Sequence, residues 1–337
     1  MRAVGYFTPQ DIATPGALLD LEVAEPVPGP RDLLVRVRGV GVNPVDTKIR
    51  RRRVGAAGVP VVLGWDAAGE VLETGAECRL FRPGDRVWYA GERDRAGCNA
   101  EHQVVDERLV GRMPAGVSWE YAAGLPLTAL TAFESLFERL GVPEGGAYGQ
   151  RLLVVGGAGG VGSIAIQLAQ ALTELVVIAT ASRPESAAWC RRMGADDVVD
   201  HRGDLVGALR DRGHGEVDYV LLCADTDPYL PLLPALLAPQ GAACAMVDTA
   251  RPVDLRPLKE KSLRIAWEFM FTRPLFRTPD MIRHHEYLCR LAELVEAGRV
   301  RSTVTGRFGV LNADNLARAH AQVESGTTIG KIALSGY

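Results

Sequence analysis

Gly156, Gly157, Ala158, Gly159, Gly160, Val161 and Gly162 follow directly on the apolar stretch RLLVV, and the glycines at 157, 159 and 162 have GxGxxG spacing. In such a turn the first glycine reverses the chain tightly and the second lets backbone N–H groups, here those around Gly160 and Val161, approach a pyrophosphate. The third lets the following helix pack close against the strand. The N-terminus of that helix adds partial positive charge. Glycine-rich turns also arise for steric reasons alone. This one stands at the head of a series of strand and helix repeats, so a dinucleotide is the expected ligand.

The second strand of the series selects among dinucleotides. NAD-preferring folds place an Asp or Glu about 20 residues beyond the glycines, where it accepts hydrogen bonds from ribose hydroxyls. Here Thr180, Ala181, Ser182 and Arg183 occupy that place. No carboxylate repels a 2′-phosphate, and a hydroxyl beside a guanidinium can bind one, so NADPH (NADP) is the expected cofactor. Ser182 can equally be the N-cap of a helix opening at Pro184. His201, after the next short strand, is either a contact to the adenosine phosphate or a structural loop histidine. Cys223 and Val247, at the ends of two later strands, are expected near the nicotinamide, because ligands bind outside the carboxyl ends of parallel strands. A buried strand-end thiol such as Cys223 is far more often inert than nucleophilic.

The elements that must hold these residues show in the hydrophobic periodicity. Residues 33–42 begin with the alternation of a half-buried strand, and PGDRVWY from Pro83 reads as a turn and a strand. From about Tyr121 the spacing of Leu127, Leu130, Phe133, Leu136, Phe137 and Leu140 is helical. RLLVV, VVIATAS, DVV, EVDYVLLCA and GAACAMV then alternate with helices from Val161, from about Pro184, near Leu205 and over 230–237. This alternation implies a parallel sheet with helices on both faces. Past about Leu263 it breaks up. Residues 298–310 read as strand, 312–324 as helix, and GKIALS from Gly330 as a last strand.

Composition sets the outer limits. The chain has 337 residues, of which 47% are hydrophobic and 23% charged, enough for two cores without a disordered block. A net charge of -3 gives no electrostatic reason to expect nucleic acid, and the run Arg50 to Arg53 reads as a solvated loop or a local phosphate contact. The opening MRAVGYFTPQ lacks the apolar run of an export signal. The most apolar stretch, 162–181, carries Gln167, Gln170 and Glu174, so a helix followed by a strand is expected and a membrane span is not. The six cysteines form no CxxC pair, which fits reduced thiols and a cytoplasmic location. There is no HExxH and no clustered set of metal ligands. The expected partner is a small molecule.

At the level of motifs the chain resembles the medium-chain dehydrogenase/reductase superfamily over essentially its whole length. GVNPVDTKIR (from Gly41), LGWDAAGEV (from Leu63), PGDRV (from Pro83), PLTALTAFE (from Pro126), GGAGGVGS (from Gly156) and GKIAL (from Gly330) are similar to quinone oxidoreductases. WEFMFTRPLFRTPDM, from Trp267, resembles proteins called zinc-type alcohol dehydrogenase-like. The resemblance implies an α/β fold, a Rossmann doubly wound parallel sheet plus a β-rich GroES-like domain. It implies a catalytic GroES-like domain over 1–122, an NADPH-binding domain over 123–265, and a return to the first domain over 266–337. It also implies a homodimer joined at the sheet edge near 263–269.

The departures from that family shape the chemistry. Where its zinc enzymes place Cys, His-Glu and Cys, this chain has Asn43, Trp65 with Asp66, and Leu127, so no metal ligand set is expected. Without a Lewis acid, direct alcohol oxidation loses several kcal/mol of charge stabilisation. A quinone or an α,β-unsaturated carbonyl can still accept hydride, because its charge delocalises. The resemblance implies Asn43 as an amide donor and Thr131 beside the nicotinamide. It puts Lys48 where many quinone oxidoreductases have Tyr, as a proton donor, a cofactor phosphate contact or a solvated lysine. Trp65 is either an aromatic wall for a flat ring or core packing. A metal-free carbonyl or alcohol dehydrogenase, and an NADPH-binding protein with little turnover, stand as alternatives.

Overall fold

A computed structural model describes all 337 residues, which divide into two compact units, Met1–Leu130 with Phe271–Tyr337, and Thr131–Met270. These divisions fall a few residues after the expected boundaries at 122 and 265. The first division lies within one continuous helical run, where periodicity gives no mark.

Unit 1 opens with β1 (Arg2–Tyr6), β2 (Leu19–Glu22), β3 (Asp32–Val42) and helix α1 (Pro44–Arg50). Next come β4 (Val61–Val62), β5 (Ala67–Thr74), β6 (Arg86–Tyr89), β7 (His102–Asp106), β8 (Val110–Arg112) and helix α2 (Trp119–Ala123). Helix α3 (Pro126–Phe133) then runs into a π-helical segment over Glu134–Arg139. In unit 2, β9 (Arg151–Val155), α4 (Gly160–Leu172), β10 (Val176–Thr180), α5 (Pro184–Met193), β11 (Asp197–Val199) and α6 (Leu205–Asp211) alternate. They lead to β12 (Val217–Leu222), α7 (Leu233–Leu236), β13 (Leu237–Ala245) and β14 (Arg264–Trp267). The chain returns to unit 1 with α8 (Thr272–Phe276), α9 (Arg283–Glu296), β15 (Val304–Val310), α10 (Ala313–Glu324) and β16 (Lys331–Ser335).

The unit 2 sheet has the order β11-β10-β9-β12-β13-β14, with every neighbouring pair parallel. In local numbering this is 3-2-1-4-5-6, the Rossmann order, which reverses between β9 and β12. Leu153, Val155, Ile178, Val220, Leu222, Leu233 and Leu236 join one buried cluster on it. Strands covered on both faces read as continuous apolar runs, which is why RLLVV and VVIAT show no alternation. β14 lies at the sheet's end, and its residues are exposed or half-buried.

Unit 1 has a three-stranded sheet, β2-β1-β4, and a larger one ordered β15-β16-β3-β5-β6-β8, with β7 also pairing β3. In β3 the half-buried residues fall at Asp32, Arg36 and Arg38, so the expected alternation holds only over residues 35–39, between the buried run Leu33, Leu34 and Val35 and full burial from Gly39. The amphipathic helix α9 packs on β8 with Tyr287, Leu288, Leu291 and Val295 buried. Two expectations are corrected. The helix expected over 230–237 keeps only one α-helical turn, because Pro231 and Pro234 cannot donate to a longer ladder. The strand expected from 298 begins at Val304. Gly298, at φ 70°, completes the end of α9, and Leu294 O accepts from Arg299 N, so these residues finish the helix.

No helix is long and apolar enough to cross a membrane. All six cysteines are free.

Candidate functional site

In unit 2 the glycine turn closes β9 and opens α4. Gly156 lies at φ 75°, and its N–H donates to Thr180 Oγ1 at 3.0 Å, which ties the turn to the end of β10. A Cβ on Gly162 would stand 2.5 Å from Gly156 O, and one on Gly157 would stand 2.7 Å from Ala179 Cβ. Both positions therefore exclude any side chain. A Cβ on Gly159 would meet a single atom, Gly156 O at 3.5 Å, and otherwise open space. Two glycines thus serve packing and the middle one faces outward as the N-cap of the thirteen-residue α4. An anion can approach there, at the helix's positive end.

Ser182 and Arg183 come directly after β10. The N-cap of α5 is Arg183, with extended backbone (φ -121°, ψ 146°) and Pro184 at the first helical position. The expectation that Ser182 caps this helix is therefore corrected: proline fixes the helix start one residue later. The Arg183 guanidinium is part exposed, with Nε 3.4 Å from Glu185 Oε1. His201, just past β11, has a buried Nδ1 with no hydrogen-bond partner. Cys223 comes directly after β12, its N–H bonded to Val155 O at 3.0 Å, and burial pushes its thiol well up, which disfavours a nucleophilic role. Val247 O accepts from Thr226 Oγ1 at 2.6 Å, linking the segments after β12 and β13. Thr131 is buried on α3.

In unit 1 the expected residues Asn43 and Trp65 lie beside a buried ionic cluster. Asp66 is fully buried at the start of β5. Its Oδ1 accepts from Leu127 N at 3.1 Å, and its Oδ2 lies 3.1 Å from both Asn43 Nδ2 and Lys331 Nζ. Lys331, at the head of β16, also donates to Asn43 Oδ1 and, at 2.9 Å, to Val42 O. An ammonium has no acceptor and a carboxylate no donor, which fixes the orientation of the Asn43 amide between them. Burial pushes the Asp66 carboxyl above its ordinary range, and Lys331 and the hydrogen bonds oppose that rise. Asp46 accepts from Asn43 N at 2.6 Å, and burial raises it to about 7. A Cβ on Gly41 would stand 2.3 Å from Ala123 O and 3.0 Å from Asp66 Oδ2, so only glycine admits this approach.

Trp65 is fully buried. Its Nε1 donates to Glu92 O at 2.9 Å, and its ring meets Phe271 edge-on at 6.2 Å and the Arg53 guanidinium at 5.7 Å. Lys48 stands exposed on α1. The lysine that joins Asn43 is Lys331, which the site reading from sequence misses. Its signal is one of four lysines in the chain placed at the head of an apolar strand.

Two family models match the chain, "Alcohol dehydrogenase GroES-like domain" over residues 29–126 and "Zinc-binding dehydrogenase" over 193–334. A zinc-type alcohol dehydrogenase-like protein of Staphylococcus aureus is 40% identical over 99% of this chain and 100% of its own length. The chain belongs to the medium-chain dehydrogenase/reductase superfamily. A crystal structure described as a zinc-dependent alcohol dehydrogenase protein, from Rhizobium etli, matches 100% of this chain and 98% of its own at 45% identity and a TM-score of 0.95. The mycobacterial protein Rv1454c, solved with NADPH, matches 99% of this chain and 100% of its own at 28% identity and a TM-score of 0.83. The superfamily is one of oxidoreductases.

The zinc in those descriptions does not fit the donors here. At the three ligand positions stand an amide already bonded at both ends, an indole beside a carboxylate paired to an ammonium, and an aliphatic side chain. Nowhere do three or more His, Cys, Asp or Glu side chains converge in a way that could hold a metal ion. Lys331 supplies a positive charge to the carboxylate, so a dication would have to displace it.

Removing that ammonium leaves a buried carboxylate without its counter-charge. Lys331→Met should lower stability by roughly 3 to 5 kcal/mol, read as a lower denaturation midpoint. Adding Asp66→Leu should restore part of the loss. A Lys331→Met midpoint equal to the wild type's would show that the pair contributes nothing.

Proposed function

We propose that this chain is a zinc-independent, NADPH-dependent reductase of quinones or α,β-unsaturated carbonyl compounds. The observation that carries the reading is the pairing of an outward-facing Gly159 at the head of α4 with Ser182 and Arg183, rather than an Asp or Glu, directly after β10. The turn gives a pyrophosphate backbone donors, and Arg183 with Ser182 gives a 2′-phosphate a charge-assisted site once Glu185 yields the guanidinium. NADPH supplies a hydride when bound. His201, with its unpartnered Nδ1, is the candidate contact to the adenosine phosphate. The backbone at Cys223 and Val247 borders the nicotinamide in this reading. The NADPH held by the Rv1454c protein supports the cofactor class.

The quinone and enone preference rests on the donor set and on motifs similar to quinone oxidoreductases. No Lewis acid is available at Asn43, Trp65 and Leu127, so an acceptor that delocalises its own charge suits the chain. Lys48 is the proposed proton donor because its ammonium is exposed, and Thr131 is the proposed hydroxyl donor. Asn43 and Trp65 act mainly as supports, since their polar groups are bonded within unit 1.

The test is NADPH consumption across quinones, enones, aldehydes and ketones, with alcohol oxidation run in reverse. Quinone or enone reduction should far exceed oxidation of any simple alcohol. Tight NADPH binding with no turnover on the whole panel would leave a binding protein as the better account. Lys48→Met should lower kcat with little change in KM, because a proton donor acts mainly in the transition state.

Arg183→Ala removes a charge-assisted hydrogen bond worth roughly 1.5 to 3 kcal/mol, so NADPH affinity should fall about tenfold to a hundredfold. NADH affinity should barely move. Equal losses for the two cofactors, measured by fluorescence titration, would remove Arg183 from the 2′-phosphate site.

A homodimer is part of the proposal. β14 ends the unit 2 sheet unpaired on one side, and its last residue Trp267 and Phe269 just after it are exposed. Edge strands of this kind pair across twofold axes. Light scattering at micromolar concentration should give twice the chain mass, and a monomer would refute this part.

A further inference from the structure

Helix α9 carries a pair of side chains that the proposed reaction does not use. His285 and Cys289 are four residues apart and share one helix face. His285 Nδ1 lies 2.7 Å from Val110 O of β8. A carbonyl oxygen only accepts, so Nδ1 carries the proton it donates there, and Nε2 is the ring nitrogen left to accept one. Cys289 Sγ lies 3.7 Å from Nε2 and 3.8 Å from Nδ1. The sulfur also accepts from the backbone N–H of Arg112, on β8. Phe81 packs edge-on against the imidazole, with ring centroids 5.6 Å apart. Cys289 is only half-buried.

We propose that Cys289 and His285 form a thiolate–imidazolium pair and that Cys289 is a site of thiol–disulfide exchange with small-molecule disulfides. The Cys289 thiolate attacks one sulfur of the disulfide, forming a new S–S bond as the old one breaks. The departing thiolate leaves with the electron pair and takes a proton from His285 Nε2. Cys289 is oxidised to a mixed disulfide and the other half of the reagent is reduced to a thiol, with no further oxidant.

The charges around the pair favour this state. Burial opposes ionisation of Cys289, but the hydrogen bonds from His285 and from the Arg112 backbone, with the positive charges of both residues, together hold it below the ordinary thiol range. His285 is raised above its ordinary value by Cys289 first, with Val110 O and Glu286 adding to the effect. Arg112 on β8 is itself engaged by Glu296, with Glu293 nearby, so it stays charged beside the pair. Burial pushes the other five thiols, Cys78, Cys98, Cys190, Cys223 and Cys244, in the opposite direction. Cys289 is thus set apart from every other cysteine by its histidine partner, and it shares its half-burial with Cys223 alone.

The folded, full-length protein tests this with two reagents. Brief treatment with glutathione disulfide, followed by peptide mass mapping, should place the first adduct on Cys289, and Cys289→Ser should lose it. Alkylation by iodoacetamide across pH should give a midpoint for Cys289 below that of free cysteine. His285→Gln should move that midpoint upward and slow the reaction severalfold near pH 6. An adduct appearing first on another cysteine, or selective alkylation without any glutathione adduct, would overturn the exchange step. A wild-type midpoint at or above free cysteine's, which needs no variant to measure, would overturn the ion pair. So would an unchanged profile in His285→Gln.

Discussion

Unit 1 is organised around a carboxylate in its core. Asp66 has no exposure, and a bare charge there would be strongly disfavoured. Its neighbours are therefore fixed in kind and place. Asn43 stands at the N-terminus of α1, the Leu127 N–H belongs to the first turn of α3, and Lys331 opens β16. Each solves a second problem of its own. The first N–H groups of a helix have no intrahelical acceptor, and Asp66 accepts one of them at Leu127. The last strand of the chain is drawn against β3, where it pairs Ile332 with Val42. A single buried charge thus ties the beginning, middle and end of the unit's sequence to one point.

The same cluster stands where zinc enzymes of the superfamily place metal ligands, and its donors do not fit a zinc ion. An ammonium meets the need for positive charge beside the carboxylate, and it does so with donors that reach Asn43 and Val42 as well. A lysine cannot act as a Lewis acid, because it has no empty orbital to polarise a carbonyl. Whatever unit 1 contributes to a reaction must come from side chains outside this saturated network, and exposed Lys48 is one of them.

Unit 2 works by the opposite means. Its ligand turn depends on backbone and on missing side chains rather than on charged groups. The residues just past β10 present a guanidinium in place of a carboxylate, and the proposed cofactor preference rests on them. Burial governs the thiols of both units in a similar way. Five are kept neutral by their surroundings, and one is poised beside an imidazole. Reactivity is set by the neighbours, since all six side chains are chemically identical.

The glycine spacing, the alternation of strands and helices, and the absence of zinc-type ligands at 43, 65 and 127 were legible from sequence, because each is a local pattern along the chain. The alternation gave a parallel sheet, the resemblance its Rossmann form, and the folded chain its strand order. The N-cap at Arg183 rather than Ser182 turned on a single residue of register at a proline. The Asp66–Lys331 pair spans 265 positions, and the contact of His285 with Val110 spans 175. No periodicity links residues so far apart, so only the folded chain could show that Lys331 joins Asn43 while Lys48 does not, or that one cysteine of six has a histidine at its side. Sequence determined most of the elements and the glycine turn that closes β9. Tertiary structure decided which buried charges neutralise each other, because a charge removed from water must find its partner wherever the fold brings one.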